Sequence, residues 1–598
     1  MSRHAIREAC RNAEAICVAA LVTELEGMEL AAPAIKAQAR FLVEAVRSRR
    51  RGAGGADHLM HEFSLSTPEG IALMCLAEAL LRIPDTATVD RLIRDKLSHG
   101  DWQAHLGGQR SLFVNAASWA LLLGGKLVAA PSHGVLGQAL GGLLSRGGEP
   151  LVRRGVAYAM TLLARQFVAG TTIAEALTQA AAKETDGYTH SFDMLGEAAL
   201  SAADAERYRR AYESAIHAIG TAAGGRGVVA GAGVSVKLSA LHPRYQYSQK
   251  VRVMAELGPA LKSLMLLAKR YGIGLSIDAE EAERLELSLD LLESLAADRD
   301  LAGWDGLGFV IQAYQKRGIH VVDWLIELAR RQRRRIMLRL VKGAYWDSEI
   351  RRAQVDGLAD YPVFTRKFHT DLSYLACAGR MLAAPDAIYP QFATHNAQTV
   401  AAVMQLARRR GIEDYEFQCL HGMGEALYDH LVGAENGDRR CRIYAPVGSH
   451  ETLLPYLVRR LLENGANSSF VNRIVDESVS IDELLADPLS RVRQQGGAPH
   501  PAIPLPARIF GAERLNSAGV DLADEARVAE LESGLAQLAA RQWSARPLPG
   551  AATATTAAAA GTGQPLPVLN PADHGDRVGE VTEADAAMLE LALATAAS

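Results

Sequence analysis

From the N-terminus to about Gly187 the apolar residues recur at i, i+3, i+4 and i+7, as in Ile71–Leu81, Ala157–Phe167 and Ile173–Ala181, and strand-like alternation is scarce. This third of the chain predicts helices. Ser66-Thr67-Pro68-Glu69 ahead of an apolar run marks a helix start, because Pro68 suits the first turn and Glu69 the positive end of the helix dipole. Between about Tyr188 and Arg473 the rhythm changes to short apolar or β-branched runs separated by helical patterns. The runs are His190–Leu195, Val234–Ser239, Gly274–Asp278, Gly308–Ala313, Ile336–Val341, Gln391–Thr394, Tyr415–Leu420 and Arg442–Ala445. Helices fit between them, for example over Ala203–Ile219, Glu281–Leu295 and Val321–Arg331. Eight strand-then-helix units in roughly 290 residues have the size and order of an α/β (β/α)8 barrel. A doubly wound open sheet is the main competitor, and the count of eight weighs against it.

After about Ser480 the chain turns irregular, with Pro-rich pieces at Pro499–Pro506, a helix near Leu522–Leu538 and an Ala/Thr/Gly run from Ala551 to Gly563 that reads as linker. Asn570-Pro571-Ala572-Asp573 then begins what looks like a strand and a helix, Glu583–Ala597. The expected division is a helical part over 1–185, a barrel over 186–475, a linker with a helix over 476–568, and the start of a further domain over 569–598.

Composition narrows the function classes. With 598 residues and 49% hydrophobic content the chain can bury several cores, at about 100–200 residues per domain. Net charge is only −4, so no field covers the molecule to recruit nucleic acid or an anionic membrane. Six cysteines without a C-x-x-C pair read as reduced thiols in a cytoplasmic protein. The first thirty residues show no signal peptide, and the longest apolar stretch, Leu112 to Gly125, is too short to span a bilayer.

In a (β/α)8 barrel the active site lies at the C-terminal ends of the strands. The first run ends in Phe192-Asp193-Met194-Leu195-Gly196-Glu197. The next four deliver Lys237, Asp278, Gln312, and Arg339 with Lys342. The sixth ends in Thr394-His395-Asn396, the seventh gives Gln418, Leu420 and His421, and the eighth Tyr444. Loops are wet and apolar strands can end in polar residues by chance, but this set asks for a ligand. After the last run, Tyr456, Arg460 and Glu463 share one helix face with Arg459 beside them. Taken alone that is a surface helix with an i,i+4 ion pair. At a barrel mouth, two adjacent guanidinium groups make a carboxylate clamp.

Seven motifs in order carry a family likeness: Lys237-Leu-Ser-Ala-Leu-His-Pro, Ile277-Asp278-Ala-Glu-Glu, Gln312-Ala-Tyr, Arg339-Leu-Val-Lys-Gly-Ala-Tyr-Trp346, Phe392-Ala-Thr-His395-Asn396, Phe417-Gln-Cys-Leu-His-Gly-Met-Gly424 and Tyr456–Gly465. Together they resemble the proline dehydrogenase barrel of the bifunctional proline utilisation A (PutA) family, over about Phe63 to Arg473, and the helical third resembles that family's arm and α-domain. The resemblance implies FAD over the strand ends, with Gln312 and Arg339 near the isoalloxazine. It implies Val341, Lys342, Gly343, Ala344, Trp346, Thr394, His395, Asn396, Gln418, Arg460, Glu463, Ser468, Ser469 and Phe470 along the cofactor. It further implies L-proline held by Lys237, Arg459 and Arg460, with Asp278 close by, Tyr444 and Leu420 packing on the ring, Tyr456 on the clamp helix and Glu197 as gate partner of Arg459. The implied reaction is hydride transfer from proline to flavin N5, giving 1-pyrroline-5-carboxylate. A quinone is the implied electron acceptor, with transient membrane contact. A homo-oligomer is left open. The Asn570-Pro571 segment looks like the beginning of an aldehyde dehydrogenase domain whose cofactor and nucleophile regions are absent, so glutamate semialdehyde oxidation is not expected. The ribbon-helix-helix segment that begins some members has no counterpart, so no DNA partner is expected.

Two rivals differ in class. A metal-dependent hydrolase on the same barrel would use His395, His421 and Asp278, but the paired H-x-H of such sites is missing. His58, His61 and Glu62 are a weaker metal candidate. A nucleic-acid-binding regulator would use basic runs such as Arg47–Arg51 or Arg330–Arg335; the latter ends a helix before the fifth run, where cations suit the dipole and face away from the site. Gly225–Ala230 matches G-x-G-x-x-A but precedes a strand, which is the wrong context for a dinucleotide fingerprint.

Overall fold

The computed structural model describes residues 3–52, 168–449, 470–476, 478–548 and 564–597, with Asp85, Thr88, Tyr456 and Arg459 besides. The helices expected over Ile71–Leu81 and Ala157–Phe167, the helix start at Ser66 and the His58/His61 pair lie outside these residues. Met1–Val520 and Asp521–Ser598 are two compact units.

In the first unit eight parallel strands close into a barrel in chain order: β1 (Tyr188–Met194), β2 (Gly233–Val236), β3 (Leu275–Ile277), β4 (Leu307–Gln312), β5 (Ile336–Val341), β6 (Ile388–Ala393), β7 (Glu416–Leu420) and β8 (Cys441–Val447). β8 closes onto β1 in register from Tyr188 with Cys441 to Met194 with Val447. Each expected run overlaps one strand. β2, β3 and β4 are buried at every position, as parallel strands covered by helices must be. That is why their sequences are mostly apolar, with Ser235, Ser276 and Gln312 the exceptions.

The helices are made by local signals. Ser201 and Asp204 cap each other at the start of helix Ala202–Ala223, and Gly224, at φ +57°, ends it in the left-handed region. Helix Lys250–Tyr271 buries Val253, Leu257, Leu261, Leu264, Met265, Leu267 and Ala268 along one apolar stripe. Of the boundaries that shift from those expected, two fall at the site. The run expected over Val234–Ser239 stops at Val236, and Lys237 becomes the residue before a helical turn, Leu238–Leu241. Ser239 N–H donates to Glu280 Oε1 (3.0 Å), which draws this segment out of the ladder. The third run likewise stops at Ile277, leaving Asp278 just past the strand.

The N-terminal helix Glu14–Gly27 docks through a buried carboxylate. Glu14 accepts from Thr365 N–H (3.0 Å), Thr365 Oγ1 (2.7 Å) and His369 Nδ1 (2.6 Å), and Arg380 makes a forked pair with Glu24 (2.8 and 2.7 Å). Burial opposes charge on Glu14, but the bonds from His369 and Thr365 hold its carboxyl below the usual range.

The second unit holds helix Glu525–Ala539, helix Ala586–Ala596 and three strands, β9 (Trp543–Ala545), β10 (Leu566–Asn570) and β11 (Asp573–Val581). β11 lies between the other two, parallel to β9 and antiparallel to β10.

Candidate active site

Side chains alternate along a strand, so residues two apart share a face. Ser191 and Asp193 of β1, Ser235 of β2 with Lys237 just beyond it, Arg339 of β5, and Arg442 and Tyr444 of β8 therefore project together. In one layer Ser191 Oγ and Ser235 Oγ lie 3.0 Å apart, and Arg339 Nη2 donates to both (3.3 and 2.9 Å). In the next layer Lys237 Nζ meets Asp193 Oδ2 at 2.6 Å, Tyr444 OH at 3.3 Å and Asp278 Oδ2 at 3.6 Å. Asp278 also accepts from Arg339 Nη1 (2.8 Å) and from Tyr444 OH (2.6 Å). The guanidinium of Arg339 sits 5.2 Å from the Tyr444 ring centre. Lys237, Asp278, Arg339 and Tyr444 thus share one buried polar cluster.

Burial disfavours a charge on Lys237, but Asp193, Tyr444 and Asp278 more than offset it, and the ammonium titrates well above the ordinary lysine range. Burial among Asp193 and Asp278 likewise pushes the Tyr444 phenol up. Lys237 is a fixed cation here.

Glu197, just after β1, accepts two hydrogen bonds from Arg459, at 2.5 and 2.7 Å. Burial works against charge on Glu197, yet Arg459 holds its carboxyl below the usual range. Arg459 also lies over the Tyr345 ring, 5.2 Å from its centre. Tyr456 is buried. Arg460, Glu463, Ser468 and Ser469 lie outside the described residues, while Phe470 is buried at the start of helix Phe470–Val475.

The remaining candidates line the strand ends. Val341, which ends β5, and Lys342, Gly343, Ala344, Tyr345 and Trp346 after it form a half-buried run. Lys342 pairs with Asp371, Trp346 Nε1 donates to Phe364 O (2.8 Å), and Gly343 adopts φ +131°, where a Cβ would stand 2.5 Å from the Tyr314 ring. Gln312 Oε1 accepts from Gln315 (2.7 Å). Thr394 Oγ1 accepts from Asn396 N–H (3.1 Å), Asn396 caps helix Ala397–Arg409, and Leu420 N–H donates to His395 Nε2 (3.0 Å). Leu420 is half-buried at the end of β7. Gln418 is turned to Glu416 (2.8 Å), a buried carboxylate that also binds Gln391 and Arg442, so it belongs to a separate polar cluster around Glu416.

Asp193, Ser191 and Ser235 enter no role in the sequence reading. Asp193 stands in plain view at a strand end, and the two-residue alternation leads back from Asp193 and Lys237 to both serines. Tyr345 carries no such signal. Among the described residues no group of three or more His, Cys, Asp or Glu is placed to hold a metal ion, and no helix is long and apolar enough to cross a membrane. The five described cysteines are free.

A family model described as "Proline dehydrogenase" matches residues 176–473. Others, described as "Proline utilization A proline dehydrogenase N-terminal domain" and "DNA-binding domain of Proline dehydrogenase", match residues 1–47 and 55–167. Residues 55–167 fall almost wholly outside the described part, and the second description bears against the expectation of no DNA partner. The chain is 58% identical over 568 residues to "Bifunctional protein PutA" of Klebsiella aerogenes, covering 93% of this chain and 43% of that one. It is 55% identical over 609 residues to the protein of the same description in Escherichia coli K12, covering 100% and 46%. A crystal structure of a Bradyrhizobium japonicum proline utilization A mutant aligns with a TM-score of 0.68 at 45% identity, over 92% of this chain and 54% of that one. The chain therefore spans less than half the length of these curated relatives.

Proposed function

Because the chain belongs to the proline dehydrogenase family in its proline utilisation A form, we propose that it oxidises L-proline to 1-pyrroline-5-carboxylate, with FAD held at the C-terminal mouth of the barrel. The observation that carries this reading is the convergence of Lys237, Arg339 and Tyr444 on Asp278 where the strands end.

Proline offers a carboxylate and a saturated ring, so its site needs cations at one end and apolar or aromatic walls at the other. In this reading Arg459, Arg460 and Lys237 take the carboxylate, and Tyr444 and Leu420 wall the ring. Glu197 holds Arg459 until a substrate carboxylate replaces it. Lys237 is already protonated, so it cannot take the amine proton of proline. In this reading proline binds as the free amine, and turnover rises with pH as that form becomes more abundant.

The residues present suit a flavin. Arg339 Nε is buried without a hydrogen-bond partner, a donor left over at the mouth, and the backbone of Val341–Trp346 lies half-buried beside it. Gln312, Arg339, Lys342, Gly343, Thr394 and His395 would hold the cofactor, with the other strand-end candidates. When bound, the flavin supplies the two-electron acceptor for oxidation of the C5–N bond. The proposal includes a quinone as final acceptor, reached by transient membrane contact from the cytoplasm.

The test is a visible absorption spectrum followed by anaerobic addition of L-proline. A flavin band that bleaches supports cofactor and substrate together. A colourless protein, or a band that proline leaves unchanged, overturns the reading.

A further inference from the structure

Asp278 opens a stretch, residues 278–281, that belongs to no helix or strand. Four residues on, the backbone of Ala282 is gripped from two sides. Its N–H donates to Glu349 Oε1 at 2.6 Å, and its carbonyl accepts from Arg317 Nη2. Both side chains are buried, and they come from different units of the barrel. Glu349 lies on helix Trp346–Val355, which follows β5 and Arg339; Arg317 directly precedes helix Gly318–Arg331, which follows β4 and Gln312. Arg317 Nε continues to Gln315 Oε1 (3.0 Å), and Gln315 Nε2 to Gln312 Oε1 (2.7 Å). Glu280 ties the same stretch to the end of β2 through Ser239 N–H (3.0 Å). One chain of bonds thus joins the segments beyond four strands, each of which delivers a residue of the candidate site.

Burying a charged side chain is unfavourable unless it makes strong hydrogen bonds, and two such groups meet here on a single backbone unit. We propose that Glu349 and Arg317 are positioning residues: through Ala282 they fix the stretch that carries Asp278, and with it the Arg339–Asp278–Tyr444 arrangement. The inference rests on the reading of the mouth as a proline site. Neither residue is assigned a contact with substrate or cofactor.

The experiment compares Glu349→Leu, Glu349→Gln and Arg317→Lys, each alone and combined with Asp278→Asn, by steady-state kinetics with L-proline, flavin content and thermal midpoint. The unsubstituted protein is first bleached with proline; if it is not, the functional reading has failed before this inference is reached. Displacing Asp278 should lower kcat/KM about tenfold in Glu349→Leu, with flavin content retained, since small misplacements at a reacting centre are amplified. Glu349→Gln, whose amide oxygen still accepts from Ala282, should stay within about twofold of the parent. In the Asp278→Asn background the Glu349→Leu effect should shrink below about twofold, because its route is gone. Arg317→Lys keeps the charge but cannot bridge Gln315 and Ala282, and should reproduce both results even where Glu349→Leu fails to fold. Parent-like Glu349→Leu or Arg317→Lys, equal damage in Glu349→Gln, or an undiminished effect beside Asp278→Asn would overturn the inference and leave the functional reading intact.

Discussion

Arg459 reaches Glu197 through two short hydrogen bonds, so a substrate carboxylate has to displace an existing partner to reach the guanidinium. Arg459→Met should raise KM for L-proline by about two orders of magnitude and change kcat less, as loss of a forked charge pair is of order 2–5 kcal/mol and each 1.4 kcal/mol is tenfold. Steady-state kinetics would show it; an unchanged KM would remove Arg459 from the clamp. Glu349 makes a prediction about pH. Burial pushes its carboxyl up to about 7, against the pull of Ala282 N–H. Its folded pKa thus exceeds the unfolded one. Its contribution to stability is complete at acid pH, below the unfolded value, and is lost as pH rises through about 7. At about 1.4 kcal/mol per pH unit the loss is on the order of 3 kcal/mol. Glu349→Gln should therefore raise the thermal midpoint relative to the parent at pH 8 and not at pH 4, measured by calorimetry. Lys237, Asp278 and Arg339 were legible in the sequence because each is a charged residue set in, or at the end of, an apolar run. Glu349 was not, since a glutamate in the first turn of a helix looks like an ordinary favourable charge at the dipole. Only the fold shows that it is buried.

At the scale of elements, the strands were readable because burial on both faces leaves short, mostly apolar runs, and the helices because one face alone is apolar. The ends of β2 and β3 were not, because the residues beyond them are held by partners distant in the chain, Ser239 by Glu280 and Asp278 by Arg339 of β5. The docking of helix Glu14–Gly27 was hidden for the same reason: Glu14 meets residues far along the chain, with a separation of 351 to Thr365. Glu14→Ala would leave Thr365 N–H, Thr365 Oγ1 and His369 Nδ1 without their acceptor. At about 1 kcal/mol each, the variant should lose roughly 3 kcal/mol and melt several degrees lower. Equal midpoints for the two proteins would mean that the helix docks by its apolar face alone.

At the scale of the whole molecule, charge decides which partners are attracted. Three of the five arginines in the basic run Arg330–Arg335 are answered by carboxylates: Arg330 by Asp386 (2.8 Å), Arg331 by Glu293 (2.5 Å) and Arg335 by Asp414 (2.5 Å). With a net charge of −4, this leaves the described surface of that run little to offer a phosphate backbone. Substituting these arginines should therefore leave any gel retardation of duplex DNA unchanged; a shift that weakens with added salt would assign DNA binding to the chain, with residues 55–167 the first segment to mutate. The ring itself has a consequence in time. β1 finds its second neighbour only when β8 exists, and Tyr188 precedes its partner Cys441 by 253 positions. At synthesis rates of about 5–20 residues per second, Ser191 and Asp193 wait on the order of ten to fifty seconds for the last stave of the cask. A newborn chain must be sheltered for that long before its chemistry can assemble.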